Sequence, residues 1–201
     1  MLFGKKNHLV GLDIGSRSIK AGEVVDGKKG LALKKFGMID IPAGAIEDGA
    51  INDPEAVAEA IQQLFKTYNI KENSVAVSIG GYSVIVKKIN VQTMPEEQLQ
   101  ETIQFEAEQY IPFDIEDVNV DFQILESNEM LDSGEMAILL VAVKKEKVNE
   151  HLELTQEANL DPIVVDVDAF ALENTYELNY EVEPDLVIGL VDIGAGTMNI
   201  N

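Results

Sequence analysis

Two short loops in this sequence place an acidic residue, glycine and small hydroxyl residues directly after an apolar strand. The first is residues 10–20 (VGLDIGSRSIK), and the second is residues 190–197 (LVDIGAGT). A glycine at the turn lets the backbone approach a phosphate closely, and the N–H groups of such a turn point at the anion. Either loop alone would also fit an ordinary hairpin turn. Two copies on strand ends predict a clamp that holds a polyphosphate from both sides.

The aspartates of these loops, Asp13 and Asp192, predict a metal ion beside the phosphates. A carboxylate and a phosphate repel each other, so an aspartate here is useful only through Mg²⁺ or its bound water. We therefore expect a metal–nucleotide complex with Asp13 and Asp192 as the metal-binding pair. The residues predicted to bind the nucleotide belong to both loops: Asp13, Gly15, Ser16, Arg17, Ser18, Lys20, Asp192, Gly194, Ala195, Gly196 and Thr197.

The two loops resemble the first and second phosphate motifs of the actin-like ATPase superfamily. A third segment, residues 165–172 (VDVDAFAL), resembles the first connecting helix of that superfamily. On this match Asp166 takes the acidic position and is the candidate catalytic residue, with Asp168 as the alternative. Without the resemblance, Asp168 is expected to cap the helix that begins at the Ala-Phe-Ala-Leu run. The resemblance implies an α/β fold with an actin-like (ribonuclease-H-like) domain, and ATP with Mg²⁺ as cofactors.

The middle of the chain resembles the PilM family of type IV pilus assembly proteins. The resemblance is carried by residues 106–114 (EAEQYIPFD), residues 116–122 (EDVNVDF) and the opening MLFGKK, and it runs from the first residue to the last. The cell-division relative FtsA shares the phosphate loops and a central insertion but not the pattern at residues 110–113. The resemblance implies a cytoplasmic protein at the inner face of the cytoplasmic membrane, with at most a slow ATPase activity. It also implies binding to the cytoplasmic N-terminal tail of a PilN-like inner-membrane protein, and it leaves room for self-association.

The resemblance places the tail in a groove between the first domain and the inserted module. The candidate partner-binding residues are Tyr110, Ile111, Pro112 and Phe113, together with the strand at residues 84–89. Large side chains beside a proline at a helix end suit peptide capture. The same residues would equally well be buried in the core of the module, where most large apolar side chains lie. Both interpretations stay open at this point.

Composition limits the other function classes. The 201 residues include 36 acidic and 15 basic side chains, and the net charge of −21 argues against binding nucleic acid through its phosphates. The sequence has no cysteine, so it has no disulfide framework and no thiolate metal site. No stretch approaches the ~20 consecutive apolar residues of a transmembrane helix. The opening MLFGKK lacks the apolar core of a signal peptide.

Two further hypotheses compete with the nucleotide-binding assembly protein. A sugar or acetate kinase of the same fold would need a base for its acceptor. The histidines, His8 and His151, are expected before the first strand and on a helix, where neither suits that role. A scaffold that has lost its nucleotide is the third hypothesis, and the intact phosphate loops argue against it.

The element pattern predicts an actin-like first half with an inserted α+β module. We expect a helix after Asp53-Pro54 whose Val57, Ala60, Ile61, Leu64 and Phe65 face the core. The predicted domains are residues 1–80 and 161–182 (first half), 81–160 (inserted module) and 183–201 (start of a second half, beginning with a strand at 186–192). Because the superfamily needs about as much chain again, we expect a fragment that is inactive and binds ATP weakly or not at all.

Overall fold

The structure, a computed structural model, describes residues 9–27, 30–125, 134–181 and 186–201. Its strands are β1 (Val10–Ile14), β2 (Ser18–Gly27), β3 (Gly30–Asp40), β4 (Ile46–Glu47), β5 (Ala50–Ile51), β6 (Ser74–Ile79), β7 (Val84–Gln92), β8 (Val118–Ile124), β9 (Glu135–Lys144), β10 (Asp161–Val167), β11 (Val191–Ile193) and β12 (Met198–Ile200). Its helices are α1 (Pro54–Thr67), α2 (Glu96–Ala107), α3 (Lys145–Glu157) and α4 (Asp168–Asn179), with 3₁₀ turns at Gly81–Ser83 and Ile115–Asp117. No helix in these ranges is long and apolar enough to cross a membrane.

A mixed sheet carries the first unit, with the strand order β10-β6-β1-β2-β3. Strands β1, β2 and β3 form an antiparallel meander, whereas β6 runs parallel to both β1 and β10. Parallel neighbours end at the same edge of a sheet, so the ends of β1, β6 and β10 bring their following residues together. This arrangement confirms the predicted α/β fold class.

Helix α1 packs on one face of this sheet, as its sequence predicts. Asp53 caps the helix by accepting a hydrogen bond from Ala56 N at 3.0 Å, and Pro54 occupies the first turn, where its missing N–H costs nothing. The predicted inward-facing residues are all buried: Val57, Ala60, Ile61, Leu64 and Phe65. They join the buried residues of β1, β2 and β6 in one core.

The second unit is a small two-layer module. Strands β7, β9 and β8 form an antiparallel sheet in that order. Helix α2 covers one face of it, and Leu99 and Ile103 from the helix share a core with Ile138 and Leu140 from the central strand. The connection between β8 and β9 lies mostly outside the described residues, as does the opening MLFGKK.

The compact units comprise residues 1–81 with 150–201, and residues 82–149. The predicted return to the first unit was at residue 161. The structure puts it inside α3, because Leu154 of that helix and Ala158, just after its end, are buried in the core of the first unit. The predicted start of a second half at 183 falls among undescribed residues, and residues 186–201 group with the first unit.

One predicted strand is wrong in its extent. Residues 186–192 have the apolar pattern of a strand, but only Val191–Ile193 pairs, with Met198–Ile200. Leu190 extends the hairpin through backbone bonds of 2.8 and 2.9 Å with Asn201. Residues 186–189 make no ladder because no strand lies beside them in the described part of the chain.

Candidate functional site

Both predicted phosphate loops are hairpin turns of the same construction. In the first, Asp13 lies opposite Lys20 and Ile14 opposite Ile19. In the second, Asp192 lies opposite Asn199 and Ile193 opposite Met198. The two hairpins therefore have equivalent strand pairing, as the similarity of their sequences predicts.

The glycine of each turn packs closely against the backbone of its own hairpin. Gly15 N–H donates to Ser18 O at 3.2 Å, and Gly194 N–H donates to Thr197 O at 2.9 Å. A Cβ added to Gly15 or to Gly194 would lie 3.1 or 3.0 Å from the same carbonyl oxygens, which is closer than Cβ atoms normally approach. Each turn is thus tight enough that a side chain at this position would have to displace the carbonyl oxygen slightly.

The two turns lie next to each other. A Cβ built on Gly196 would lie 2.9 Å from Ser16 Oγ. The backbone of the second turn therefore faces the hydroxyl of the first.

A cleft of about 680 Å³ lies in the first unit beside these hairpins. Its floor is made of small residues from neighbouring strands, Gly11, Gly22 and Ala76. Its walls include Phe36 from β3 and Leu172 from α4. Its volume falls in the ~300–1,000 Å³ range of small-molecule sites.

Four carboxylates and one lysine line the cleft: Asp13, Asp166, Asp168, Asp192 and Lys20. Of the predicted nucleotide-binding residues, the lining thus contains Asp13, Lys20 and Asp192. The others lie in the turns themselves and are not part of the lining: Gly15, Ser16, Arg17, Ser18, Gly194, Ala195, Gly196 and Thr197. Arg17 points its side chain to solvent, and its carbonyl accepts a bond from Ile41 N at 3.0 Å.

The two hairpin aspartates differ in charge environment. Lys20 Nζ lies 2.6 Å from Asp13 Oδ2, and both side chains are about half exposed. Asp192 has the neutral Asn199 at the equivalent position. Asp13 therefore has its own counter-ion, whereas Asp192 does not have one from its cross-strand partner.

Asp168 is held at the wall of the cleft by two residues that the sequence analysis missed. Its carboxylate is hydrogen-bonded to the Ser78 side chain. A Cβ on Gly80 would overlap Asp168 Oδ2, so the carboxylate occupies the space that glycine leaves open. Ser78 is near the end of β6 and Gly80 directly follows that strand. The rule that parallel strands end at the same edge of a sheet is the signal that could have found them.

Burial raises the pKa of Asp168 above its ordinary value, and the charges of Asp13 and Asp192 raise it further. The Ser78 hydrogen bond and the charge of His151 act in the opposite direction but are outweighed. The expectation that Asp168 caps α4 is wrong. Asp168 is the first residue of the helix, and the N-cap is Val167, whose apolar side chain cannot cap it. The Asp168 side chain interacts with Ser78 instead.

Asp166, the candidate catalytic residue, also lines the cleft. Its Oδ1 accepts a bond from the next backbone N–H, Val167 N, at 2.8 Å. Within the described ranges, no three His, Asp or Glu side chains are placed to hold a metal ion together. Metal binding by Asp13 and Asp192, and a catalytic role for Asp166, thus stay predictions.

The candidate partner-binding corner lies in the second unit. Ile111 is only 7% exposed and belongs to the core of the module, so it is a core residue. Tyr110 and Phe113 pack against the same core while half buried, and Pro112 is exposed. The corner therefore combines a core anchor with two accessible aromatic rings.

Two lysines approach this corner, and the sequence analysis did not foresee them. Lys87 Nζ donates to Tyr110 O at 2.9 Å. Lys144 Nζ lies 4.5 Å from the centre of the Phe113 ring, a cation–π distance. The corner is therefore less acidic than its neighbouring glutamates in the sequence suggest.

Comparisons with known proteins identify the family. A family model for the type IV pilus assembly protein PilM matches residues 11–201. A chain of the PilM–PilN type IV pilus biogenesis complex is 32% identical, with a TM-score of 0.85 over 98% of this chain and 58% of that one. This chain thus spans less than two thirds of that relative.

A second solved structure agrees in fold alone. It is the cytoplasmic domain of EpsL, an inner-membrane component of the type II secretion system of Vibrio cholerae. Its identity is 15% and its TM-score 0.55, over 83% of this chain and 59% of that one. Since the PilM model matches nearly the whole sequence, the chain belongs to the type IV pilus assembly protein PilM family.

Proposed function

We propose that this chain supplies the nucleotide cleft and the partner-binding module of a type IV pilus assembly protein. The cofactors are ATP and Mg²⁺. The partner is the cytoplasmic N-terminal tail of a PilN-like inner-membrane protein, which would keep this protein at the inner face of the cytoplasmic membrane. The observation that carries the nucleotide proposal is the pair of glycine turns with the same backbone hydrogen bond beside one cleft.

The residues present fit a metal–nucleotide complex. Each turn is a cradle that a Cβ would close, and such turns direct backbone N–H groups at anions. Lys20 is the cation of the cleft and would bind phosphate oxygens, whereas Asp192 would hold Mg²⁺ directly or through water. Bound Mg²⁺ would neutralise phosphate charge that the surrounding carboxylates repel.

The chemistry of the cleft supports nucleotide holding with slow hydrolysis at most. The lining contains no histidine among the described residues. Asp166 and Asp168 are the side chains that could take a proton from an attacking water, and Ser78 orients the second of them. The lining also includes the neutral polar side chains of Ser78, Thr175, Asn199 and Asn201, which do not by themselves single out a sugar or acetate acceptor.

Thermal shift in the presence of Mg-ATP tests the nucleotide proposal without relying on turnover. Weak binding is expected because the cleft is open. Ligand at ten times its dissociation constant stabilises by about 1.4 kcal/mol, or about 3–6 °C for a chain of this size. Asp13→Ala and Asp192→Ala should each reduce the shift with Mg-ATP more than the shift with ATP and a chelator.

The matched control is Asp161→Ala, which removes an exposed aspartate of the same unit at the start of β10. It should leave the shift unchanged. Equal losses with and without Mg²⁺ for both loop variants would contradict the metal role. An unchanged shift in both variants would contradict the site itself.

The partner proposal rests on the Tyr110 and Phe113 corner. Half-buried aromatic rings beside a rigid proline suit the capture of a short tail with apolar anchors. Fluorescence anisotropy with a labelled PilN-like tail peptide measures capture directly. Phe105→Ala is the matched control, because Phe105 is an exposed aromatic residue of the same unit.

A further inference from the structure

Strand β3 contains a β-bulge in its pairing with β2. Glu23 of β2 lies opposite Lys35, whereas the next residue, Val24, lies opposite Leu33. Lys34 is therefore an extra residue of β3 that has no counterpart on β2. Side chains alternate between the two faces of a regular strand, so one extra residue reverses the alternation from that point on. The bulge thus determines which face the following residues of β3 occupy.

Beyond the bulge, Phe36 and Met38 lie on the cleft face of the sheet. Phe36 lies opposite Gly22 and lines the cleft, and Met38 lies opposite Lys20, whose side chain also lines it. A ladder that continued the earlier register without the bulge would put Phe36 opposite Ala21, which is buried in the core on the other face. It would also put a glycine, not Met38, opposite Lys20. The bulge therefore gives this lysine its apolar neighbours.

A buried carboxylate holds the bulge from the opposite face. Glu23 is 4% exposed, its Oε1 lies 2.5 Å from Lys34 Nζ, and its Oε2 lies 3.8 Å from Lys35 Nζ. Lys35 Nζ also donates to Asn69 O, just after the end of α1. Two successive residues of a strand share one face only at a bulge, so both lysines reach the same carboxylate only in this register.

Glu23 is a costly residue for this position, which points to a specific role. Within the described part of the chain, its buried Oε2 has no hydrogen-bond partner. An incompletely hydrogen-bonded buried charge costs free energy, and an apolar residue of similar size is often neutral or better. The best-attested use of such a buried charge is to select one register among several. In a sheet, a slip of one residue moves every following side chain to the other face.

We propose that Glu23 is a positioning residue of the cleft, which selects the bulged register of β3 and thereby holds Phe36 and Met38 next to Lys20. The last step rests on the proposed function: apolar neighbours exclude water from Lys20, which strengthens its attraction for phosphate. Either lysine suffices to hold the carboxylate, so loss of Lys34 alone leaves the register intact.

Thiol labelling tests the register without any nucleotide. The sequence has no cysteine, so Phe36→Cys is a single reporter of the face on which position 36 lies. Phe36 is 54% exposed, and the reporter should react rapidly. Adding Glu23→Met should slow the reaction by at least about fivefold, because a thiol buried against the core reacts only when the structure opens. Adding Glu23→Gln, which keeps an acceptor oxygen for one lysine, should leave the rate within about twofold.

Two controls separate a change of register from general loosening. Tyr68→Phe removes the hydrogen bond that Tyr68 Oη donates to Met38 O at 3.1 Å but leaves the carboxylate in place, so the Phe36→Cys reporter should keep its rate. Phe105→Cys, at a residue 70% exposed in the second unit, should react equally fast with and without Glu23→Met. Circular dichroism checks that each variant is folded. A Phe36→Cys rate that Glu23→Met does not change, or that Tyr68→Phe lowers as much, overturns the proposal.

Thermal shift in a titration with Mg-ATP tests the functional step. In the chain with its native Phe36, Glu23→Met should weaken Mg-ATP binding by at least about threefold. Val57→Ala, which removes core volume in the first half of α1, should lower the melting temperature but keep the affinity. Unchanged Mg-ATP affinity in Glu23→Met, combined with slow labelling, would overturn the role of the register in the cleft. A wild-type chain that shows no Mg-ATP shift would contradict the proposed function instead, and the labelling rates would still decide the register.

Discussion

Two lysine–carboxylate contacts of similar length should differ sharply in what they contribute to stability. Lys20 Nζ lies 2.6 Å from Asp13 Oδ2, with side chains 44% and 55% exposed. Lys34 Nζ lies 2.5 Å from Glu23 Oε1, with side chains 50% and 6% exposed. An exposed pair gives at most about 1 kcal/mol, because water screens it. Removing the partner of a buried charged group costs about 1–3 kcal/mol.

The expected melting temperatures follow from these values. A chain of this size loses roughly 2–4 °C per kcal/mol. Lys20→Gln should therefore lower the melting temperature by up to about 4 °C, and Lys34→Gln by about 2–12 °C. The second loss should fall in the lower part of that range, because Lys35 Nζ remains 3.8 Å from Glu23 Oε2.

The ligand response should rank the two variants in the opposite order. A charge-assisted hydrogen bond contributes about 1.5–3 kcal/mol, so Lys20→Gln should weaken Mg-ATP roughly ten- to hundredfold and abolish its thermal shift. Lys34→Gln should keep the shift. Scanning fluorimetry with an added dye measures both quantities on the same sample. A large stability loss in Lys20→Gln together with a retained Mg-ATP shift would refute the assignment of Lys20 to phosphate binding.

Three further predictions concern the same units. Asp168 has a raised pKa, so its contribution to stability is largest below pH 3.8 and is lost as pH rises through the raised value. The melting temperature of Asp168→Asn should thus rise relative to that of the wild type as pH increases from acidic values to 7. A difference between the two melting temperatures that does not depend on pH would contradict this. Gly15→Ala and Gly194→Ala should each open their turns and reduce the free energy of unfolding by about 1–3 kcal/mol, which lowers the melting temperature. Each should also reduce the Mg-ATP shift. Finally, Tyr110→Ala should weaken tail binding by about 1 kcal/mol or more while circular dichroism stays unchanged, and undiminished anisotropy would move the site elsewhere on the module.

Local signals in the sequence sufficed for the elements that depend on nearby residues. The Asp53 cap with Pro54 and the helical spacing of the core residues determined α1 correctly, since capping and amphipathic burial act within a few turns. Strand β6 is an equally local feature, because Ser74–Ile79 is a short apolar run that ends at two glycines. The paired phosphate turns were recognisable because their glycines are fixed by the turn itself.

Features that depend on distant neighbours were not predictable from the sequence. Asp168 was expected to cap its own helix, but Ser78 binds its side chain across the sheet. The apolar pattern at residues 186–192 reflects the strand propensity of these side chains. Pairing also requires a neighbouring strand, and within the described part of this segment only Val191–Ile193 has one. Lys144 reaches Phe113 from thirty-one positions along the chain, and no spacing rule predicts such a contact.

Different residues lie opposite the two hairpin aspartates, so the two hairpins differ in charge. Lys20 faces Asp13, and Asn199 faces Asp192, although the turns are otherwise built alike. A linear anion laid between the hairpins would therefore meet a lysine–aspartate pair at one end and, at the other, an aspartate with no cation across its hairpin. The two orientations of a bound polyphosphate are then unequal in energy. A single cross-strand position determines which end of the polyphosphate lies at which hairpin. Exchanging the two residues, with Lys20→Asn and Asn199→Lys in one chain, would reverse that preference without altering either turn.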